Sequence, residues 1–151
     1  MLLVHEITIV CPQCKTQNSL MLDEVPKPQP CSSCKTELIQ KHRVIRGFVY
    51  VLSNEAMPGF LKIGYSMREI EERVQELNSQ TSVPTPFFLE ACFGSENPPL
   101  AERKVHQALQ KFKVKGKEFF RLSPARSVEI IGKVLGCKPS YLCEHLSLES
   151  E

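Results

Sequence analysis

GFVYVLSNEAMPGFLKIGYS, residues 47–66, decides the fold. FVYVL (48–52) is a run of β-branched and aromatic residues, the composition of a strand. Ser53 to Gly59 holds Asn54, Pro58 and Gly59, which suit a loop. FLKIGY (60–65) reads as the returning strand. Ser66 and Glu69 then spell S-x-x-E, the capping box that opens a helix. Ile70, Val74 and Leu77 follow at i, i+4 and i+7, one apolar helix face.

The pattern continues outward toward the C-terminus. Pro84 and Pro86 break the chain before another strand, FFLEACF (87–93). Asn97 caps the next helix, with Pro98 at its first position. Ala101, Val105, Ala108, Leu109 and Phe112 supply its inner face. Lys117 to Leu122 reads as a short strand, and Ser123-Pro124 starts a last helix with Val128, Ile131 and Leu135 inward. There is no internal repeat. The order β-β-α-β-α-β-α over about 90 residues predicts an α+β domain at 46–135. Residues 136–151 are read as a C-terminal tail.

The first 45 residues form a separate region. They hold four of the seven cysteines and the closely spaced Pro26, Pro28 and Pro30, with no helical periodicity. Lys41-His42-Arg43 reads as a short linker. So short a segment rarely sustains a core unaided, and metals commonly supply the deficit. Cys11-Pro-Gln-Cys14 and Cys31-Ser-Ser-Cys34 give C-x2-C, sixteen residues, C-x2-C. Two such knuckles can present four thiolates to one zinc ion. Redox C-x-x-C motifs are the competing reading, but neither pair precedes a helical pattern. Four protein ligands leave no position for water, so this zinc is expected to be structural. The segment resembles a rubredoxin-like zinc ribbon. Ribbons bind DNA, RNA or protein, so this one does not choose a function.

Composition, at 42% apolar and 24% charged, is that of a folded globular chain. No apolar run approaches the roughly 18 residues of a membrane span. The start MLLVHEITIV lacks a basic region and a small-residue cleavage site, so it does not read as a signal peptide. A cytoplasmic location is therefore expected, and there paired cysteines favour metal over disulfides. Net charge is only +2. Residues 46–135 carry thirteen Lys/Arg against ten Asp/Glu, and residues 136–151 one against three. The middle is mildly basic and the end acidic.

Phe48-Val49-Tyr50, eleven residues, then Lys62-Ile63-Gly64 resembles the paired signature of the GIY-YIG nuclease superfamily. The resemblance covers about residues 46–131. It is nearest to a phage-borne and bacterial branch matched here by Gly47 to Leu52, Lys62 to Gly64, Glu72-Arg73, Glu102 with His106, and Glu118-Phe119-Phe120. It implies a small three-stranded antiparallel sheet flanked by helices. It also implies a metal-dependent endonuclease acting on DNA, with RNA left open. By position, Tyr50 would be the base or water-orienting hydroxyl. Arg73 would clamp the scissile phosphate. Glu102 would bind one magnesium or manganese ion. His106, one turn on, could orient Glu102, contact phosphate or assist proton transfer. The pattern departs at Phe48, where a glycine is expected, and at Lys62, where a tyrosine is expected. Lys62 could still contact phosphate, or favour the Tyr50 phenolate if close.

Helix geometry permits these roles. Arg73 and Glu102 lie roughly 70° and 75° from the centres of their apolar stripes, at the rim of a packed face. Each residue also has a plain reading. Tyr50 is then a strand aromatic, Arg73 a partner for Glu69 or Glu76, and Glu102 with His106 a solvated pair. Lys111, Lys113, Lys115 and Lys117 alternate with Phe112, Val114 and Gly116. Extended, they would point to one side as a phosphate-contacting strip; otherwise they are a solvated loop. Cys137, Cys143 and His145 are irregularly spaced, with no evident fourth ligand, so Cys92, Cys137 and Cys143 read as buried or incidental. Three functions follow: a DNA endonuclease with a supporting ribbon, a non-catalytic DNA-binding protein, and an adaptor whose ribbon recruits a protein.

Overall fold

The computed structural model describes residues 5–22, 29–38, 44–80 and 82–148. It divides into two compact units, Met1–Arg43 and Val44–Glu151. In the first, β1 (His5–Val10) and β2 (Gln17–Leu22) pair antiparallel. The turn between them is the first cysteine knuckle. The second knuckle lies between Pro30 and Glu37, which form an isolated bridge. The two knuckles fold alike because both read C-x-x-C-Lys-Thr. The Cys11 amide donates to the Thr16 carbonyl (2.9 Å) and the Cys31 amide to the Thr36 carbonyl (2.8 Å). Lys15 and Lys35 both take left-handed φ, at 62° and 63°. Pro26, Pro28 and the linker Lys41-His42-Arg43 lie outside the described residues.

The second unit is α+β. Its elements are β3 (Gly47–Ser53), β4 (Phe60–Ser66), α1 (Ile70–Asn78), β5 (Phe88–Ser95), α2 (Pro98–Ala108), a 3-10 turn (Gln110–Phe112), β6 (Phe119–Arg121), α3 (Pro124–Leu135), β7 (Tyr141–Leu142) and α4 (Glu144–Leu148). The sheet has five antiparallel strands in the order β6-β4-β3-β5-β7, where three were expected. Beyond the three strands that the resemblance implied, β6 falls within Lys117 to Leu122, the stretch read as a short strand, and β7 is a two-residue edge strand that the reading lacked. A strand as short as β7 carries no period of its own; pairing to a neighbour makes it a strand. β7 comes from the segment read as a tail.

The central strands bury both faces, so they read as continuous apolar runs. Val49, Val51, Ile63 and Phe93 face one side, where Ala101, Val105 and Leu109 at α2 and Ile131 of α3 cover them. Tyr50, Leu52 and Cys92 face the other, under Ile70 and Leu77 of α1. Asn97 and Ser123 cap α2 and α3 by accepting from the amides of Leu100 (3.3 Å) and Arg126 (3.3 Å). The capping box at α1 does not form. Glu69 is the N-cap residue and makes no side-chain cap bond. Ser66 is instead the last residue of β4, and its hydroxyl accepts from the Arg68 amide at 3.1 Å. Among the described residues no helix is long and apolar enough to cross a membrane.

Candidate functional site

β6 pairs only with Phe60–Lys62 of β4, so the remainder of β4 is a sheet edge. Edge carbonyls and amides need partners. Ile63 finds them in the Glu118 carbonyl (3.2 Å from its amide) and in His106, whose Nε2 lies 2.8 Å from the Ile63 carbonyl. A carbonyl only accepts, so Nε2 carries the proton. The His106 ring also meets Phe120 edge-on at 4.9 Å. Its Nε2 stands 3.7 Å from Glu102. His106 is thus held between the sheet edge and Glu102.

This open edge lets helices from opposite faces reach one place. A cleft of about 280 Å³ is lined by Tyr50, Tyr65, Ser66, Met67, Arg68, Arg73, Glu102 and Glu118. Arg73 comes from α1 and Glu102 from α2, which cover different faces. Arg73 donates to Glu76 at 2.7 Å, and Arg68 donates to the same carboxylate. Lys62 donates to Glu118 at 2.9 Å and lies over the Phe119 ring, 5.5 Å from its centre. The lysine that replaces the expected tyrosine is therefore engaged by a carboxylate.

The charges respond to one another. The Glu76 bond raises the Arg73 guanidinium above its ordinary value, and the Tyr50 hydroxyl acts in the same sense. Lys62 holds the Glu118 carboxyl below the usual range. Burial pushes Glu102 up, and nearby Glu118 adds to this while His106 opposes it. The Glu102 side chain is only 18% exposed. Lys113 and Lys62 also oppose the rise at Glu102.

Tyr50 is buried, 1% exposed, opposite Gly64 across the β3–β4 ladder. A Cβ at Gly64 would lie 2.6 Å from the Tyr50 hydroxyl oxygen and 2.8 Å from its ring carbon Cζ. A buried ring cannot swing aside, so the glycine sets the position of the hydroxyl. Gly64→Ala is expected to destabilise the unit by about 1–3 kcal/mol, read as a lower urea midpoint. An unchanged midpoint would show that the ring adjusts freely.

The lysine strip is not extended. Lys111 sits in the 3-10 turn, Lys113 bridges Phe120, and Gly116 at φ +73° turns the chain before Lys117. The run breaks because Phe112 packs partly buried against the core and the chain turns at Gly116. Lys113 remains close enough to Glu102 to lower its pKa.

In the first unit the four cysteines come together. Cys11 and Cys34 sulfurs are 3.6 Å apart, and those of Cys14 and Cys31 are 3.5 Å apart. The edge of a tetrahedron with Zn–S bonds of about 2.3 Å is about 3.8 Å. The donor set thus fits zinc. Hydrogen bonds from Thr16 hold the Cys14 thiol down to about 6. The Cys34 amide lowers Cys31, with help from the Asn18 side chain, 3.5 Å from its sulfur. Such outer partners orient ligands and favour thiolate.

The family model that matches is the T5orf172 domain, at residues 47–135. The chain belongs to the T5orf172 domain family. This corrects the GIY-YIG assignment, because the matched family is a distinct one. The departures at Phe48 and Lys62 fall in the two segments that suggested that superfamily. Membership in the T5orf172 family points to a nuclease-like or DNA-binding role. Comparison with curated proteins and with solved structures found no match. Within the T5orf172 domain, Arg68 is a cleft residue to which the sequence reading gave no role, while Glu118 entered that reading only as part of the Glu118-Phe119-Phe120 match. Arg68 precedes a helix, a position with no periodic signal.

Proposed function

We propose that the T5orf172 domain of this chain is a metal-dependent DNA endonuclease, assisted by an N-terminal zinc ribbon that contacts nucleic acid. One observation carries the reading. Tyr50, Arg73, Glu102 and Glu118 line a single cleft although they come from four places in the chain. Phosphodiester hydrolysis needs a cation on the phosphate, a held water and a metal ligand. Arg73 takes the phosphate by exchanging Glu76 for phosphate oxygens; Glu76 is partly exposed and keeps its bond to Arg68 when Arg73 leaves it. Tyr50 presents its hydroxyl to the attacking water. Glu102 holds a magnesium or manganese ion, with Glu118 the second carboxylate at hand. When bound, that ion supplies Lewis-acid polarisation of the phosphate and stabilises the leaving oxygen. His106 positions Glu102 against the sheet edge, and Lys62 and Lys113 add positive charge beside the cleft. Cys11, Cys14, Cys31 and Cys34 hold the ribbon's zinc.

A second reading, DNA binding without cleavage, has its own support. Arg73 and Lys62 are each already paired with a carboxylate, Glu76 and Glu118. The test is cleavage of labelled plasmid and branched DNA by the full chain with Mg2+ or Mn2+. Metal-dependent nicking, lost in Glu102→Ala, supports the endonuclease. A folded, zinc-loaded chain that cuts nothing yet binds DNA with a steep salt dependence supports the second reading.

A further inference from the structure

β5 is not regular. Against β3, Val51 pairs with Ala91 and Leu52 with Leu89, so the ladder skips Glu90. Glu90 is the extra residue of a β-bulge, a device that re-aims a side chain. Its carboxylate is buried at 5% exposure, inside an otherwise apolar strand. A buried carboxylate requires compensation. Among the described residues, no lysine or arginine pairs with it. Its Oε1 accepts from the Ser53 hydroxyl at 2.8 Å. Its Oε2 faces Cys143 Sγ at 3.1 Å and His145 Nε2 at 3.1 Å. Cys143 Sγ and His145 Nε2 are 3.6 Å apart.

These three separations are short enough for one metal ion to join the three side chains. A zinc ion bound by sulfur at about 2.3 Å and by nitrogen and oxygen at about 2.0–2.1 Å has S···N and S···O edges near 3.5 Å and an N···O edge near 3.3 Å. The observed values lie within about half an ångström of all three edges. Thiolate, imidazole and carboxylate are together a borderline donor set, suited to zinc over calcium or magnesium. Ser53 engages the other carboxylate oxygen, as outer partners of metal ligands do. Backbone bonds fix the frame: the Cys143 amide donates to the Glu90 carbonyl at 2.9 Å. His145 is 59% exposed and stacks beside Phe88, so its ring is free to turn a nitrogen onto an ion.

We propose that Glu90, Cys143 and His145 form a second zinc site, with three protein ligands and a fourth position open to water. The site fastens the segment after the T5orf172 match, β7 and α4, to the bulge of β5. It is independent of the ribbon and of the nuclease reading.

The test is the zinc content of the full chain, equilibrated with excess zinc and then desalted. His145→Ala and Cys143→Ser are each expected to hold one zinc fewer per chain than wild type. A ribbon variant, with Cys11, Cys14, Cys31 and Cys34 all replaced by serine, also loses one but retains the zinc at Glu90. His145 lies at the surface, so His145→Ala keeps its fold and stands as the decisive variant if Cys143→Ser fails. Cobalt loaded into the ribbon variant is expected to show a thiolate-to-cobalt charge-transfer band, absent when Cys143→Ser is added. Zinc content unchanged in His145→Ala, or a ribbon variant without that band, overturns the proposal and leaves a hydrogen-bonded cluster only.

Discussion

Replacing Cys31 by serine is expected to release the zinc of the N-terminal unit and unfold that unit. Among its described residues the only buried apolar side chains are Cys11, Leu20 and Cys31. A two-stranded sheet with so small a core is marginal in water. A zinc ion held by the four cysteines would supply what burial does not, since structural zinc contributes roughly 10–16 kcal/mol of apparent binding energy to small domains. Cys31 is the sharpest place to remove a ligand. It is fully buried, its amide closes the second knuckle on Thr36, and its sulfur is met by Asn18. Serine keeps the volume but offers a poor zinc ligand in place of a thiolate. Zinc content should fall by one per chain, and limited proteolysis should begin within residues 1–43. A variant that holds its zinc and resists protease would show that three cysteines and the strand pair suffice.

Arg73→Ala is expected to lower cleavage by about 10²–10³-fold, the usual cost of removing one preorganised donor to a developing charge. Stability should barely change, because the Arg73–Glu76 pair is partly exposed and such pairs contribute about 0–1 kcal/mol. Arg73→Lys should recover only part of the activity, since an ammonium lacks the planar fork that grips two phosphate oxygens. The measurement is single-turnover cleavage of a labelled duplex alongside the thermal midpoint. Undiminished cleavage by a folded Arg73→Ala would move the phosphate clamp elsewhere in the cleft, with Arg68 and Lys62 the next cations to replace.

The parts of this protein legible in sequence are those in which neighbouring residues decide the outcome. FVYVL and FLKIGY became the central strands because β-branched and aromatic runs bounded by Asn54, Pro58 and Gly59 have few alternatives. Asn97-Pro98 and Ser123-Pro124 became helix starts because a cap satisfies amides only three residues away. The C-x-x-C pairs show the same locality, each knuckle closing within six residues. The capping box at Ser66 failed for the opposite reason. β4 ran one residue further than its apolar pattern, and pairing along a ladder outweighed a local cap.

By itself, the sequence determined the α+β order of the second unit, its two helix caps and a four-cysteine set fit for zinc. Only the tertiary structure decided the edge strand β7, the pairing of β6 with β4, the cleft and the cluster at Glu90. Those features depend on contacts between distant residues. Lys62 meets Glu118 across 56 positions, and Glu90 meets Cys143 across 53. A glutamate in a strand run reads as solvent-facing until a bulge, set by pairing to β3, turns it inward. No local period carries that information, because the bulge exists only once the sheet has formed.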